Sequence, residues 1–275
     1  MWSWRLDPPL ASGLILAAAA YLGGAHRIRR AGGSPVPGGR VAAFLAGLAI
    51  VAVALQSPID AYANVRFSVH MVQHLLLTMV AAPLLLIGMP FILALRSTSA
   101  ATRRRLLLPI VRSRLADLLS QPVFAWTLFM LVMWGSHLSA AYEAALRNDR
   151  VHALEHAAYL GSALLFWWPV VGRGPGRTRL SHPGRILFVF AAMAQSTFLG
   201  LAIYSSEHVW YPHYLRAWGS TGAALADQHL AGALMWEGEM VLFVLALAGV
   251  LLDWMNADER EALRAEARSA AGVVR

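Results

Sequence analysis

Long apolar segments separated by short polar ones dominate this chain. Each is close to the ~20 residues that cross the hydrocarbon core of a bilayer as a helix. With ends good to about 3 residues, the segments are 10–26, 40–56, 69–95, 122–138, 151–172, 184–204 and 226–253. The pattern predicts an all-α polytopic membrane protein: a seven-helix transmembrane bundle in one domain, residues 1–255, followed by a charged cytoplasmic tail, residues 256–275.

The composition agrees with this class, because 58% of the residues are hydrophobic and only 14% are charged. All 23 basic residues are arginines, and they are distributed unevenly between the two sides of the predicted spans. One side holds Arg27, Arg29, Arg30, Arg40, Arg96, Arg103, Arg104, Arg105, Arg112, Arg114, Arg173, Arg177, Arg179, Arg185, Arg260, Arg264, Arg268 and Arg275; the other holds Arg5, Arg66, Arg147, Arg150 and Arg216. The positive-inside rule therefore predicts an external N-terminus and a cytoplasmic C-terminus. Topology accounts for the net charge of +8, and no nucleic-acid partner is expected.

The first apolar segment has a competing interpretation as a cleavable signal peptide. Residues 14–25 resemble the apolar region of such a peptide and end in small residues. However, only Arg5 precedes them, whereas Arg27, Arg29 and Arg30 follow. This polarity favours a retained span with its N-terminus outside.

Two polar segments are expected on the cytoplasmic side. Residues 102–121 alternate arginines with leucines and are interrupted by Pro109, which predicts an amphipathic segment lying against membrane lipids. From Asn256 onward, acids and arginines alternate at helical spacing. This pattern predicts a short exposed helix.

Histidines supply the candidate chemistry. Eight of the ten fall at the predicted outer ends of the spans: His70, His74, His137, His152, His156, His208, His213 and His229. The pairs His70/His74 and His152/His156 are four residues apart, which places each pair on one helix face. Such pairs can chelate one ion. The sequence therefore predicts a metal site at the outer membrane face, whereas the aromatic loop around His208 and His213, with Trp210, Tyr211, Tyr214 and Trp218, is typical of an interfacial belt.

The donor types narrow the choice of metal. The chain has no cysteine, which excludes thiolate sites. Imidazole with thioether favours copper, methionine favours Cu(I), and histidine with carboxylate also suits Cu(II) or zinc. Methionine is equally common as packing filler in apolar interiors. The predicted ligands are His70, His74, His137, His152, His156, His229, Asp227, Met71, Met133 and Met235.

Acids in the last span are unusual, because a carboxylate in a span costs roughly 2.5 kcal/mol or more. Glu237 and Glu239 both lie inside the apolar run, and Glu239 follows Asp227 and Met235 at steps of four residues. Such an acid can support a metal ligand or hold two helices together by hydrogen bonds. Glu155, Gln228 and Glu239 are the residues predicted to support the ligands; Glu237, His208 and His213 have no assigned role.

Two further functions compete with a metal-handling protein. Residues 152–156 spell HxxEH, the inverted zinc-protease motif, in which Glu155 would act as a general base. An intramembrane metallohydrolase is therefore one alternative. The other is a haem-binding membrane electron carrier, since histidines of facing helices can ligate haem iron. Same-helix pairs near one surface favour a single ion over a macrocycle.

Four ordered motifs resemble the CtaG-like, seven-span family of bacterial cytochrome c oxidase assembly factors. They are SVHMVQHLLL at 68–77, AAPLLLIGMP at 81–90, HALEH at 152–156 with LFWWPV at 165–170, and DQHLAGALMW at 227–236. The resemblance covers roughly residues 10–255. By motif match it implies functional roles for His70, His74, His152, Glu155, His156, Asp227, Gln228 and Met235, whereas His229 occupies a place expected to vary.

The resemblance also implies what this protein does. Members are needed to make an active terminal oxidase, with copper handled on the outer face of the bacterial inner membrane. We therefore expect a multi-pass assembly factor that is not an enzyme. It would act as a copper chaperone in respiratory chain biogenesis, with cytochrome c oxidase subunits as partners.

Overall fold

The computed structural model describes residues 4–171 and 180–273. Every regular element in these ranges is a helix, which confirms the predicted all-α class. The arginines Arg173, Arg177, Arg179 and Arg275, which contribute to the predicted orientation, lie outside the described residues.

The N-terminal third begins with two long helices and continues through a broken one. Its helices are α1 (Pro8–Arg30), α2 (Gly38–Gln56), α3 (Pro58–Ala63), α4 (Phe67–Leu75), α5 (Ala82–Ile87) and α6 (Pro90–Ser97). A π-helical turn, Leu76–Ala81, joins α4 to α5. Met89 has a left-handed backbone with φ of 51° immediately before Pro90, and this turn separates α5 from α6.

The middle third contains short surface helices and two long buried ones. Its helices are α7 (Ala100–Thr102), α8 (Leu108–Val111), α9 (Arg114–Leu119), α10 (Pro122–Ser136), α11 (Ser139–Arg147) and α12 (Asp149–Val171), with a π-helical turn at Arg103–Leu107. Leu106, Ile110 and Leu115 are exposed in the segment predicted to be amphipathic. Exposed leucines suit a segment lying against lipid, and the contact with lipid remains a prediction.

The C-terminal third ends in the longest helix. Its helices are α13 (His182–Tyr204), α14 (Pro212–Trp218), α15 (Thr221–Ala233) and α16 (Glu239–Val273), and a π-helical turn, Leu234–Gly238, joins the last two. The exposed helix predicted after Asn256 is present, but it is the end of α16, which runs through this position without a break. No proline or glycine interrupts the helix there, so the apolar span and the polar tail share one axis.

Among residues 4–171 and 180–273, five continuous helical runs are long and apolar enough to cross a membrane. They are Pro8–Arg30, Gly38–Gln56, Phe67–Ser97, His182–Tyr204 and Thr221–Ser269. A sixth span results if α10 and α11, which meet at a bend of 74°, are one broken span. The 23-residue α12 is long enough, but the polar residues of its first turns lower its hydropathy. The structure therefore supports a membrane protein, while seven spans and the orientation remain predictions.

The long helices alternate in direction, which gives the bundle two chemically different ends. We call the end where α4, α12 and α15 begin and where α10 and α13 finish the histidine end. At the opposite, arginine end, Arg27 and Arg96 donate to the backbone oxygens of Ser97 and Ser34. Arg185 forms an ion pair with Asp253 at 3.2 Å. The helix directions thus place most histidines at one end and most arginines at the other.

Candidate metal centre

Two histidine pairs meet in the interior of the histidine end. His70 and His74 lie one turn apart on α4, and His152 and His156 lie one turn apart on α12. The ring centroid of His70 is 5.2 Å from that of His152 and 6.3 Å from that of His156. The His74 and His156 centroids are 5.9 Å apart. The structure therefore brings these four imidazoles together, and all four are buried.

Glu155 joins the four histidines. Its Oε2 lies 3.7 Å from Nε2 of His70. The donor atoms of His70, His152 and His156 lie within 4.8 Å of one another, as do those of His70, His74 and Glu155. Nitrogens that share an ion are at most about 4 Å apart, because each bond is about 2 Å long. Movements of less than about 1 Å would therefore bring the donor atoms of either set into coordination distance. We call the five residues of the two sets, His70, His74, His152, Glu155 and His156, the imidazole cluster.

Hydrogen bonds fix the ring orientation of His70. The Tyr214 hydroxyl donates to the backbone oxygen of Ala63 at 2.9 Å, so its oxygen accepts from Nδ1–H of His70 at 3.1 Å. Burial raises the pKa of Tyr214 well above its usual value, so this hydroxyl keeps its proton at neutral pH. A neutral His70 then carries its lone pair on Nε2, which lies 2.9 Å from Nε2 of His74.

Several buried atoms of the cluster lack a hydrogen-bond partner. They include Nε2 of His152, Nε2 of His156 and Oε2 of Glu155, none of which has a partner among residues 4–171 and 180–273. An unpaired buried polar atom is unfavourable by about 1–3 kcal/mol. A cation bound by these lone pairs would satisfy them together. The donor set therefore fits a metal ion on its geometry and its unmet hydrogen-bonding capacity.

Asp227 lies outside the two ligand sets, although the sequence predicts it as a ligand. Its Oδ2 accepts from the backbone N–H of Phe67 at 2.6 Å, and its Oδ1 accepts from the Ser68 hydroxyl at 2.5 Å. The first turn of a helix leaves its N–H groups without helical partners. Asp227 therefore caps α4 from another helix and helps to position the histidines that follow.

The two residues after Asp227 bind backbone groups of the preceding loop. Gln228 accepts from the N–H of Trp210 at 2.8 Å and donates to the backbone oxygen of His208 at 3.0 Å. His229, another predicted ligand, uses Nε2 to donate to the backbone oxygen of Ser206 at 3.1 Å. Both contacts hold the 205–211 loop on α15, and neither side chain belongs to the two ligand sets.

The remaining predicted donors surround a separate small cavity. His137, Met71, Met133, Met235 and Glu239 line it together with His74. Its volume is about 10 Å³, which is close to the minimum for one water molecule. We call it the thioether cavity, after the three methionines that line it. The sequence predicts a single metal site, but the structure divides most of the predicted donors between the imidazole cluster and the thioether cavity. Glu237, two residues from Glu239, is exposed.

Tyrosines around the histidines are the residues that sequence reasoning missed. Tyr211 and Tyr214 are buried, so the prediction that they form an interfacial belt is wrong. The Tyr211 hydroxyl donates to the backbone oxygen of His137 at 2.9 Å, and the Tyr159 ring centroid lies 4.0 Å from that of His74. Only Tyr159 had a sequence signal, since it follows His156 by three residues and shares its helix face.

The loop histidines have contacts that connect elements at this end. His213 donates from its backbone N–H to Glu143 at 2.7 Å and from Nε2 to the backbone oxygen of Asn64 at 2.7 Å. His208 is exposed, and its backbone groups bond to Ser206. These contacts give His213 a tethering role, which the sequence left unassigned.

Comparisons with known proteins bear on this site. A family model described as the cytochrome c oxidase caa3 assembly factor (Caa3_CtaG) matches residues 19–257. The chain is 30% identical over 271 residues to uncharacterised proteins of Mycobacterium bovis and Mycobacterium tuberculosis. It is 29% identical over 269 residues to one of Mycobacterium leprae. Each alignment covers 95% of this chain but only 40–41% of the relative, so the chain spans about two-fifths of their length. No solved structure matches the chain.

Proposed function

The chain belongs to the cytochrome c oxidase caa3 assembly factor family, and from this premise we propose that it binds copper in the imidazole cluster and delivers the ion to an oxidase subunit. One observation carries the proposal: buried donor atoms of four histidines and Glu155 converge, in sets within 4.8 Å, and several lack a hydrogen-bond partner in the described ranges. Imidazole is a ligand that suits copper.

The proposed setting is the bacterial inner membrane, crossed seven times with the N-terminus outside. The histidine end then faces outward and the arginine end faces the cytoplasm, in line with the positive-inside rule. The contacts of Arg27 and Arg96 with neighbouring helix ends support a common arginine-rich surface. Copper would enter and leave from the external side.

Ligand geometry supports a single ion held by exchangeable bonds. Nε2 of His70 and Nε2 of His74 are 2.9 Å apart, and an ion ~2 Å from each would bond them at an angle of about 90°. His70 is fully buried, whereas His152 is 9% exposed. Delivery would proceed by ligand exchange through His152, which has the largest exposed fraction among the four histidines of the cluster. Zinc suits the same donors and is the competing ion.

The test is the copper content of purified protein. Replacing His152, Glu155 and His156 together by alanine should remove the copper that the imidazole cluster holds, because both ligand sets then lose every donor from α12. A His182→Ala variant, changed at the arginine end, is the matched control and should keep its copper. Full copper retention in the folded variant without these three donors would contradict the proposal.

A metallohydrolase is the second candidate, favoured by the 3.7 Å approach of Glu155 to His70. In that enzyme Glu155 would activate water beside the metal, and Glu155→Gln would abolish peptide cleavage without removing the metal. In the copper-binding protein, Glu155→Gln should instead weaken metal binding. A Soret band from the purified protein would favour the third alternative, a haem carrier.

A further inference from the structure

We propose that the thioether cavity is a second metal site, selective for a soft monovalent cation, Cu(I). The inference rests on the proposed function for copper as the cargo, but it concerns different atoms. The ligands are Nε2 of His137, Nδ1 of His74 and the sulfurs of Met71, Met133 and Met235, all on residues that line the cavity.

His137 presents a free lone pair at this cavity. Its Nδ1–H donates to the backbone oxygen of Met133 at 2.7 Å. In the neutral ring the second nitrogen, Nε2, must then carry the lone pair. This buried Nε2 has no hydrogen-bond partner in the part of the chain that the structure describes. A ring fixed through one nitrogen and free at the other is the usual arrangement of a metal-binding histidine.

His74 supplies the second nitrogen by the same reasoning. The lone pair of His70 Nε2 accepts from Nε2–H of His74 across 2.9 Å. Nδ1 of His74 therefore carries the lone pair, and this buried atom also lacks a partner within residues 4–171 and 180–273. Two acceptors without donors thus belong to residues lining one cavity, a combination that a bound cation would relieve.

Three thioethers from separate segments complete the donor set. Met71 lies on α4, Met133 on α10 and Met235 in the π-helical turn before α16, and all three are buried. One methionine at a cavity is ordinary packing, but three beside two free imidazole nitrogens form a set that Cu(I) prefers to zinc or magnesium. The volume of about 10 Å³ admits one ion without its water shell.

His74 links the two sites. Its Nε2 faces His70 of the imidazole cluster, whereas its Nδ1 is a proposed copper ligand in the thioether cavity. With copper on Nδ1, Nε2 keeps its proton, and a second ion in the imidazole cluster is then held by His70, His152 and His156 without His74. With copper on Nε2, the proton resides on Nδ1, where the unpartnered Oε2 of Glu239 is a nearby acceptor on the same cavity. Copper stays Cu(I) throughout, and the exchange moves only the ion and one proton.

The test is Cu(I) binding by the full chain in detergent under anaerobic conditions, followed by X-ray absorption spectroscopy. The wild type should bind two ions, one with sulfur neighbours and one with nitrogen and oxygen only. Replacing Met71, Met133 and Met235 by leucine should remove the sulfur signal and one ion. Leucine nearly conserves the volume of methionine, so the fold should survive. The matched control replaces Met79, Met130 and Met193 by leucine and should behave as the wild type.

The variant in which His152, Glu155 and His156 are all replaced by alanine separates this proposal from the preceding one. It should lose the sulfur-free ion and keep the sulfur-bound ion. Wild-type spectra without sulfur neighbours, or two ions in the folded triple methionine variant, would overturn the second site. Full retention of the sulfur-free ion in this α12 variant would overturn only the imidazole cluster.

Discussion

Asp227 accepts a hydrogen bond from the backbone N–H of Phe67, 160 residues earlier in the chain, at 2.6 Å. Arg66, which precedes α4, makes no side-chain capping bond of its own among the described residues. A carboxylate from α15 therefore caps the N-terminus of α4 in place of a neighbouring residue in the sequence. This contact sets the position of α4 against α15, three residues before His70.

Removal of this cap should weaken both the fold and the metal site. For Asp227→Ala we expect a loss of about 0.5–2 kcal/mol in the free energy of unfolding, the range found for helix caps. Copper affinity should fall with it, because the first turn of α4 carries His70. Thermal unfolding in detergent and chelator competition measure the two effects. Asp227→Asn, which still accepts hydrogen bonds, should lose less; equal losses in both variants would contradict capping.

Tyr214→Phe should lower copper affinity while changing the fold little. The hydroxyl oxygen accepts a hydrogen bond from Nδ1–H of His70. Loss of a group that hydrogen-bonds to a metal ligand typically weakens metal binding by about 10–100-fold. Competition with a Cu(I) chelator gives the affinity. Tyr204→Phe, an exposed position at the same end, is the control and should bind as the wild type. Wild-type affinity in Tyr214→Phe would show that His70 does not need this bond.

Close contact between α13 and α15 depends on two glycines. A Cβ on Gly232 would lie 2.6 Å from the backbone nitrogen of Tyr204 and 2.7 Å from the backbone oxygen of Gly200. Gly232→Ala must therefore push the helices apart, with an expected loss of about 1–3 kcal/mol in unfolding free energy. Gly161→Ala, whose Cβ would meet open space, should be neutral or slightly stabilising. Equal unfolding temperatures for the two variants would contradict this packing.

The proposed orientation can be tested directly, because the chain has no cysteine. Glu207→Cys, in an exposed loop at the histidine end, should react with a membrane-impermeant maleimide in intact cells. Arg104→Cys, exposed in the amphipathic segment, should react only after the membrane is permeabilised. The reverse pattern of labelling would place the histidine end in the cytoplasm and refute external copper delivery.

Residues that recur along one helix were predictable from the sequence. The pairs His70/His74 and His152/His156 each share a face because four residues make about one turn. Their convergence followed from placing both pairs at the same end of the spans. The helical class was equally predictable, because long apolar segments leave few alternatives.

Contacts that depend on how helices rotate about their axes were not predictable. Periodicity does not show which neighbour a given face meets, so Asp227 looked like a ligand although it caps α4. His137 and the three methionines looked like members of one site for the same reason. Tyr211 and Tyr214 looked like interfacial residues, because a sequence does not show a loop folding back over the bundle end.

The π-helical turn Leu76–Ala81 has a mechanical consequence for the span that contains it. One extra residue in a turn rotates everything beyond it by about 100° relative to a continuous α-helix. The half with His70 and His74 is positioned by Asp227, which binds Phe67 and Ser68. The other half is oriented by Leu85, which packs where a Cβ on Gly47 would lie 2.9 Å from its Cγ. One straight α-helix could not place His70 beside His152 and Leu85 against Gly47 at the same time, so a substitution that restores regular α-helical winding at Leu76–Ala81 would separate the two histidine pairs.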